Sequence, residues 1–175
     1  SLNRSSWWAK GDVLSTEIRV HNNVADPGTP VTENKVALSA YGPNVNLVKD
    51  PRYGRNSELP GEDPYLSGEY AAAYVQGLQQ PQPGGELKIL AMLKHYTAYS
   101  KEVERFTWTA PVSAFDMWDS YLPAFEKGFV AGGASGAMCS YFAANGTPSC
   151  GSDYLLNRVV RSTWARPEAI FMSDC

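Results

Sequence analysis

An α/β fold built on a parallel sheet is predicted for this 175-residue chain, because helical and strand-like hydrophobic periods alternate along it four times. Two further observations agree. Apolar runs such as Ile89–Leu93 are short and continuous, as in strands covered on both faces. Polar and charged residues also collect just beyond the end of each run, where parallel α/β folds carry their active-site rim.

The first period, over Ser6–Asn22, brings Trp8, Gly11, Leu14 or Ser15, and Ile18 to one helical face. Val36–Tyr41 reads as a strand between Glu33-Asn34 and Gly42-Pro43, followed by a long loop that carries Asp50, Arg52 and Arg55. Asp63 followed by Pro64 is an N-cap with proline at the first helical position, and Leu66, Tyr70, Ala73, Tyr74, Gly77 and Leu78 line the helix face that follows. Pro81–Gly85 breaks the chain before the strand Ile89–Leu93, which ends at Lys94-His95.

Ser113 and Asp116 resemble a capping box ahead of a stripe of Met117, Tyr121, Phe125 and Phe129, with a kink expected at Pro123. The glycine-rich stretch Ala131–Gly136 precedes the strand Ala137–Tyr141, so it reads as a helix-to-strand turn. A phosphate-cradling loop follows a strand and opens a helix, so this is the wrong place for one. A turn at Asn145-Gly146 leads to a helix over Asp153–Arg166, with Leu155, Leu156, Val159, Val160 and Trp164 inward, and then to the strand Ala169–Ser173. Open doubly wound sheets and closed barrels share this order, and periodicity does not choose between them.

Composition narrows the function classes. Hydrophobic residues at 43% and charged residues at 19% are those of a folded domain, and a net charge of −3 with scattered basic residues leaves no footprint for nucleic acid or an anionic membrane. No run of eighteen or more apolar residues is present. Two histidines and no Cys-x-x-Cys leave no basis for a metal site. Aromatics at 12% suit sugar faces, and suit an apolar core better. Cys139 and Cys150 flank a Gly/Pro loop and can pair in an oxidising compartment, with Cys175 left over. Sequons at Asn3 and Asn145 permit glycosylation on export. Ser1 in place of Met, and an apolar run just before Cys175, give the expectation of an incomplete domain over residues 1–175.

Asp174, directly after the last strand, is the candidate with the sharpest chemistry. Positive charge from Lys94, His95 and Arg55 would hold it ionised for attack on an anomeric carbon, and the plainer reading is an N-cap for a following helix. Lys94 and His95 offer donors for sugar hydroxyls, against a structural rim pair. Arg55 offers a planar fork, against simple pairing with Glu58 or Glu62. Ser140 and Tyr141 follow the third strand on the same rim.

At these residues the chain resembles the family 3 glycoside hydrolases of the β-xylosidase and β-glucosidase kind. The resemblance rests on four stretches in order: Tyr41–Leu66, Lys94-His95-Tyr96, Met138–Cys150 and Met172–Cys175. It covers nearly the whole chain and implies part of the N-terminal catalytic (β/α)₈ barrel. Carried over by position, it implies Asp174 as nucleophile and Arg55, Lys94 and His95 as ligands of the sugar that is cleaved off, with Tyr141 beside the nucleophile and Glu58 supporting the basic cluster.

The implied activity is a retaining, cofactor-independent, exo-acting β-glycosidase on an oligosaccharide substrate. A downstream domain of the parent chain would supply the acid/base, and the protein would be secreted. The Ser-Asp-Cys ending and the Cys139–Cys150 segment favour a β-xylosidase of xylan breakdown. A β-glucosidase and a noncatalytic carbohydrate-binding remnant are the alternatives. The chain departs from the family at Tyr53 (commonly Trp), Phe142 (commonly Asn) and Ala165-Arg166-Pro167, a turn that differs from the usual one.

Overall fold

The computed structural model describes residues 2–24 and 37–174. Its centre is a four-stranded, wholly parallel sheet of β1 (Ser39–Asn44), β2 (Leu90–Tyr96), β4 (Gly136–Cys139) and β7 (Ile170–Met172), in that spatial order. Each crossover between neighbouring strands carries helical structure, so the predicted α/β alternation holds.

Helix α1 (Arg4–Val24) is capped by Asn3, whose Oδ1 accepts from the Ser5 amide at 2.8 Å. Its contact with α2 (Pro64–Leu78) is made through small residues. Gly11 and Ser15 are buried there, and a side chain on Gly77 would run into the Trp8 carbonyl oxygen. The expected stripe is therefore narrower than read from sequence. Trp8 and Leu14 stay half-exposed beside a backbone-to-backbone approach that only glycine permits. Asp63 caps α2 as expected, accepting from the Tyr65 and Leu66 amides at 3.1 and 3.0 Å.

Strand β1 begins three residues later than expected and runs past Gly42-Pro43, with a register shift at Tyr41/Gly42. Val36, the expected start, lies outside the described residues, as does Cys175. Among the described residues β1 is an edge strand, where a proline without an N–H forfeits no second ladder bond. Strand β2 likewise extends through Lys94 and His95.

Beyond the loop 97–108 comes β3 (Thr109–Ala110), which joins a small second sheet with β5 (Ala143–Ala144) and β6 (Thr147–Pro148) that the periodicity did not announce. The β5–β6 hairpin turns on Asn145-Gly146, both at positive φ, as such two-residue turns require.

Ser113 caps α3 (Ala114–Asp116), accepting from the Asp116 amide at 3.0 Å. A π-helical segment, Met117–Tyr121, follows, and α4 (Pro123–Val130) restarts at the proline where a kink was expected. Residues 131–135 then form the expected turn into β4, with Gly133 at φ +77°. The last helical segment, Tyr154–Thr163, is π-helical throughout and buries Leu155, Val159 and Val160.

The core lies between the sheet and these helices. Tyr96 of β2 meets Phe125 edge-on at 5.1 Å, and Phe129 lies 5.9 Å from Trp164. Arg166, in the turn that departs from the family pattern, donates to the Phe129 and Ala134 carbonyls at 2.6 and 3.1 Å, which ties that turn to the end of α4. Cys139 and Cys150 form a disulfide. Among the described residues no helix is long and apolar enough to cross a membrane.

Candidate active site

Polar side chains converge over the C-terminal ends of the parallel strands. Lys94 and His95 come from the end of β2, Asp174 from two residues beyond β7, and Arg55 and Glu58 from the loop between β1 and α2. Two buried asparagines that sequence reasoning passed over organise them. Asn44 and Asn46 alternate with the buried Val45 and Leu47 at strand period. Asn46 grips the His95 peptide unit from both sides, its Oδ1 accepting from the His95 amide at 2.8 Å and its Nδ2 donating to the His95 carbonyl at 2.9 Å. Asn44 Nδ2 donates to Glu58 at 3.1 Å. Asparagine is disfavoured in strands, so two of them amid Val and Leu were the available signal.

Glu58 joins the basic groups. Arg55 bonds it through both Nε, at 2.7 Å, and a terminal nitrogen, at 3.1 Å, while Lys94 Nζ stands 3.8 Å away. The Arg55 hydrogen bond holds the Glu58 carboxyl down to about 2, and the Arg55 guanidinium is raised in turn. Arg55 thus makes the Glu58 pairing that the plainer reading foresaw, and the paired fork stands 5.7 Å over the Tyr99 ring.

His95 corrects one expectation. It is 1% exposed, and burial, followed by the charges of Arg55 and Lys94, pushes its pKa down to about 3. It is therefore neutral near pH 7 and adds no positive charge beside Asp174. Its Nε2 lies 3.5 Å from Asp174 Oδ2, and its buried Nδ1 has no hydrogen-bond partner among the described residues. A neutral imidazole donates through one nitrogen and accepts through the other, which matches the double character of a hydroxyl.

Tyr141 stands on the same rim, with its ring 6.5 Å from Tyr99, which in turn lies 5.0 Å from His95. Tyr99 was missed because, in sequence, it is one more aromatic among many. Other rim residues take structural parts. Ser140 is buried and bonded to the Thr97 carbonyl at 2.9 Å, and Asp50 pairs with the exposed Arg52. No group of three or more metal-ligating side chains occurs among the described residues.

Comparison with known proteins places this arrangement. Residues 23–174 match the family described as Glycosyl hydrolase family 3 N terminal domain. The whole chain is 41% identical to Beta-xylosidase/alpha-L-arabinofuranosidase 2 of Medicago sativa subsp. varia and 42% identical to Beta-D-xylosidase 3 of Arabidopsis thaliana, spanning 22% of the length of each. Among solved structures, a family 3 exo-β-xylosidase (XlnD) in complex with a xylobiose aziridine probe superposes with a TM-score of 0.90 at 30% identity, covering 99% of this chain and 22% of that one. β-Glucosidase 3B from Thermotoga neapolitana in complex with glucose gives 0.82 at 29% identity, covering 99% and 21%. The four-stranded parallel sheet with its helices is accordingly TIM-barrel-like, and the chain, matching the N-terminal domain over these residues, belongs to glycosyl hydrolase family 3.

Proposed function

We propose that the parent protein is a retaining, exo-acting β-glycosidase that removes terminal β-xylose from xylo-oligosaccharides, with Asp174 as its nucleophile. The observation that carries this reading is the meeting of Asp174 with the buried, neutral His95, beside the Arg55–Glu58–Lys94 network at the strand ends. The names of the two curated relatives described above support xylosides as the substrate class.

Arg55, Lys94 and His95 hold the hydroxyls of the terminal sugar, Glu58 fixes the two cations, and Tyr141 flanks the site. An Asp174 oxygen attacks the anomeric carbon as the bond to the leaving oxygen breaks, giving a covalent glycosyl-enzyme that water then hydrolyses. An acid/base from a part of the parent beyond this chain protonates the leaving oxygen and later activates the water. The chemistry needs no cofactor. The Cys139–Cys150 disulfide supports export to an oxidising compartment. A β-glucosidase is the second reading, favoured by the close fit to β-glucosidase 3B.

The test is Asp174→Gly in the full-length parent. Turnover of aryl β-xylosides is expected to vanish, and added azide to restore it with formation of the α-glycosyl azide, since the anion enters the space left beneath the anomeric carbon. A helix cap would behave differently, costing about 0.5–2 kcal/mol of stability and leaving the folded fraction active. A folded variant with near-normal turnover and no need of azide removes Asp174 from the mechanism. Aryl β-glucosides assayed alongside decide between the two sugars.

A further inference from the structure

The loop 97–108 rises from the strand that carries Lys94 and His95, and its own side chains hold its shape. Ser100 Oγ donates to the Leu47 carbonyl at 2.9 Å, the Tyr99 hydroxyl donates to Glu102 at 3.0 Å, and the other Glu102 oxygen pairs with Arg105 at 2.6 Å. The Arg105 guanidinium then lies against two rings at once, 4.8 Å from the centre of Phe106 and 4.9 Å from that of Tyr141.

These rings continue a series that starts at the candidate site. His95 to Tyr99 is 5.0 Å, Tyr99 to Tyr141 is 6.5 Å, and Tyr141 to Phe106 is 4.7 Å in an edge-on contact of 69°. The inner members are buried or half-buried. Phe106, the outermost, is 69% exposed. Leaving an aromatic ring in water forfeits the burial that makes such residues favourable in a core, yet this ring is clamped by a cation that is itself held by an ion pair. An immobilised, solvent-facing ring at the outer end of this series presents a flat apolar surface whose ordering cost is already met before anything binds.

We propose that Phe106, held by Arg105 and Tyr141, is the stacking platform for the leaving-group sugar, the pyranose on the far side of the scissile bond from the unit bound at Lys94 and His95. The inference rests on the glycosidase reading above. A pyranose has an apolar C–H face that lies flat on the side of such a ring away from the Arg105 guanidinium, with its hydroxyls turned to solvent. Phe106 thereby sets how strongly an oligosaccharide is preferred over a glycoside with a small leaving group.

The experiment uses the full-length parent with Phe106→Ala and Phe106→Trp, assayed on xylotriose and on β-xylosyl fluoride, whose leaving group has no ring. Phe106→Ala is expected to lower kcat/KM on xylotriose by about tenfold, the scale of one aromatic stacking contact, and to leave xylosyl fluoride within about twofold. Phe106→Trp is expected to retain the xylotriose rate. Equal losses on both substrates would mean that Phe106 holds another part of the parent in place, and an unchanged xylotriose rate that nothing stacks there. Either result overturns the proposal. Wild-type parent that cleaves neither substrate fails the glycosidase reading itself, before any variant is made; a parent that prefers glucosides is tested with cellotriose and glucosyl fluoride.

Discussion

His95 is held by Asn46 at its peptide unit and by the Tyr99 ring beside it, with Asp174 3.5 Å from Nε2 and burial that keeps the imidazole uncharged. That burial has a pH signature. The folded-state pKa of about 3 lies below the ordinary 6.5, so between these values an unfolded chain binds a proton that the native one does not, and stability falls as pH drops through that window. Glu58 acts lower down. Its folded pKa of about 2 lies below the ordinary 4.5, so its contribution is present above pH 4.5 and is lost as pH falls toward 2. Denaturant midpoints of the parent measured from pH 6.5 to 4.5 therefore separate His95 from Glu58, and comparison with a His95 variant separates it from other groups. They are expected to decline with pH, and to decline less in His95→Gln. A flat profile there would show that His95 takes up its proton inside the fold.

At the scale of elements, Asp174 depends on the seating of β7 against β4. Gly136 faces Ile170 there so closely that a Cβ would meet the Ile170 carbonyl oxygen, and the neighbouring Met92 sulfur of β2 would stand 2.8 Å away. Gly136→Ala must push β7 off its register position. Overpacking of this kind costs about 1–3 kcal/mol, so the thermal unfolding temperature of the parent should fall, and turnover with it, because the displaced strand leads directly to Asp174, the proposed nucleophile. Gly151→Ala is the control, since its Cβ meets nothing within 4 Å and its backbone is not left-handed. Its unfolding temperature should stay near wild type. Equal effects from the two substitutions would mean that strand contact at Gly136 is not what positions Asp174.

At the scale of the molecule, the chain spans 22% of the length of the relatives named above, and its sheet ends on one side at β7, which pairs only with β4 among the described residues. Ile170 of that strand is half-exposed. An open edge of this kind is sticky, and general acid/base catalysis supplied from elsewhere is worth a factor of about 10²–10⁴. The 175-residue chain by itself is therefore expected to hydrolyse aryl xylosides at least that much more slowly than the parent, measured side by side at equal concentration of folded protein. Comparable turnover would place the acid/base within these residues.

The element order, the Asp63 and Ser113 caps, the glycine-rich turn before β4 and the Asn145-Gly146 hairpin were all legible in the sequence, because each is a local preference written within a few residues. So was the list of rim residues, since polar groups just after apolar runs fall at strand ends whatever the sheet's order. The residues that order the rim were not legible. Asn46 meets His95 across 49 positions and Asp174 meets it over the intervening strand β4, while Tyr99, Arg105 and Phe106 become a set only when their loop folds back on Tyr141. The charge of His95 was likewise hidden, because burial decides it and burial is a property of everything packed around the ring. Local patterns decide where strands and helices form; which side chains share a low-dielectric space, and with what charge, is settled only by the tertiary contacts that exclude water from them.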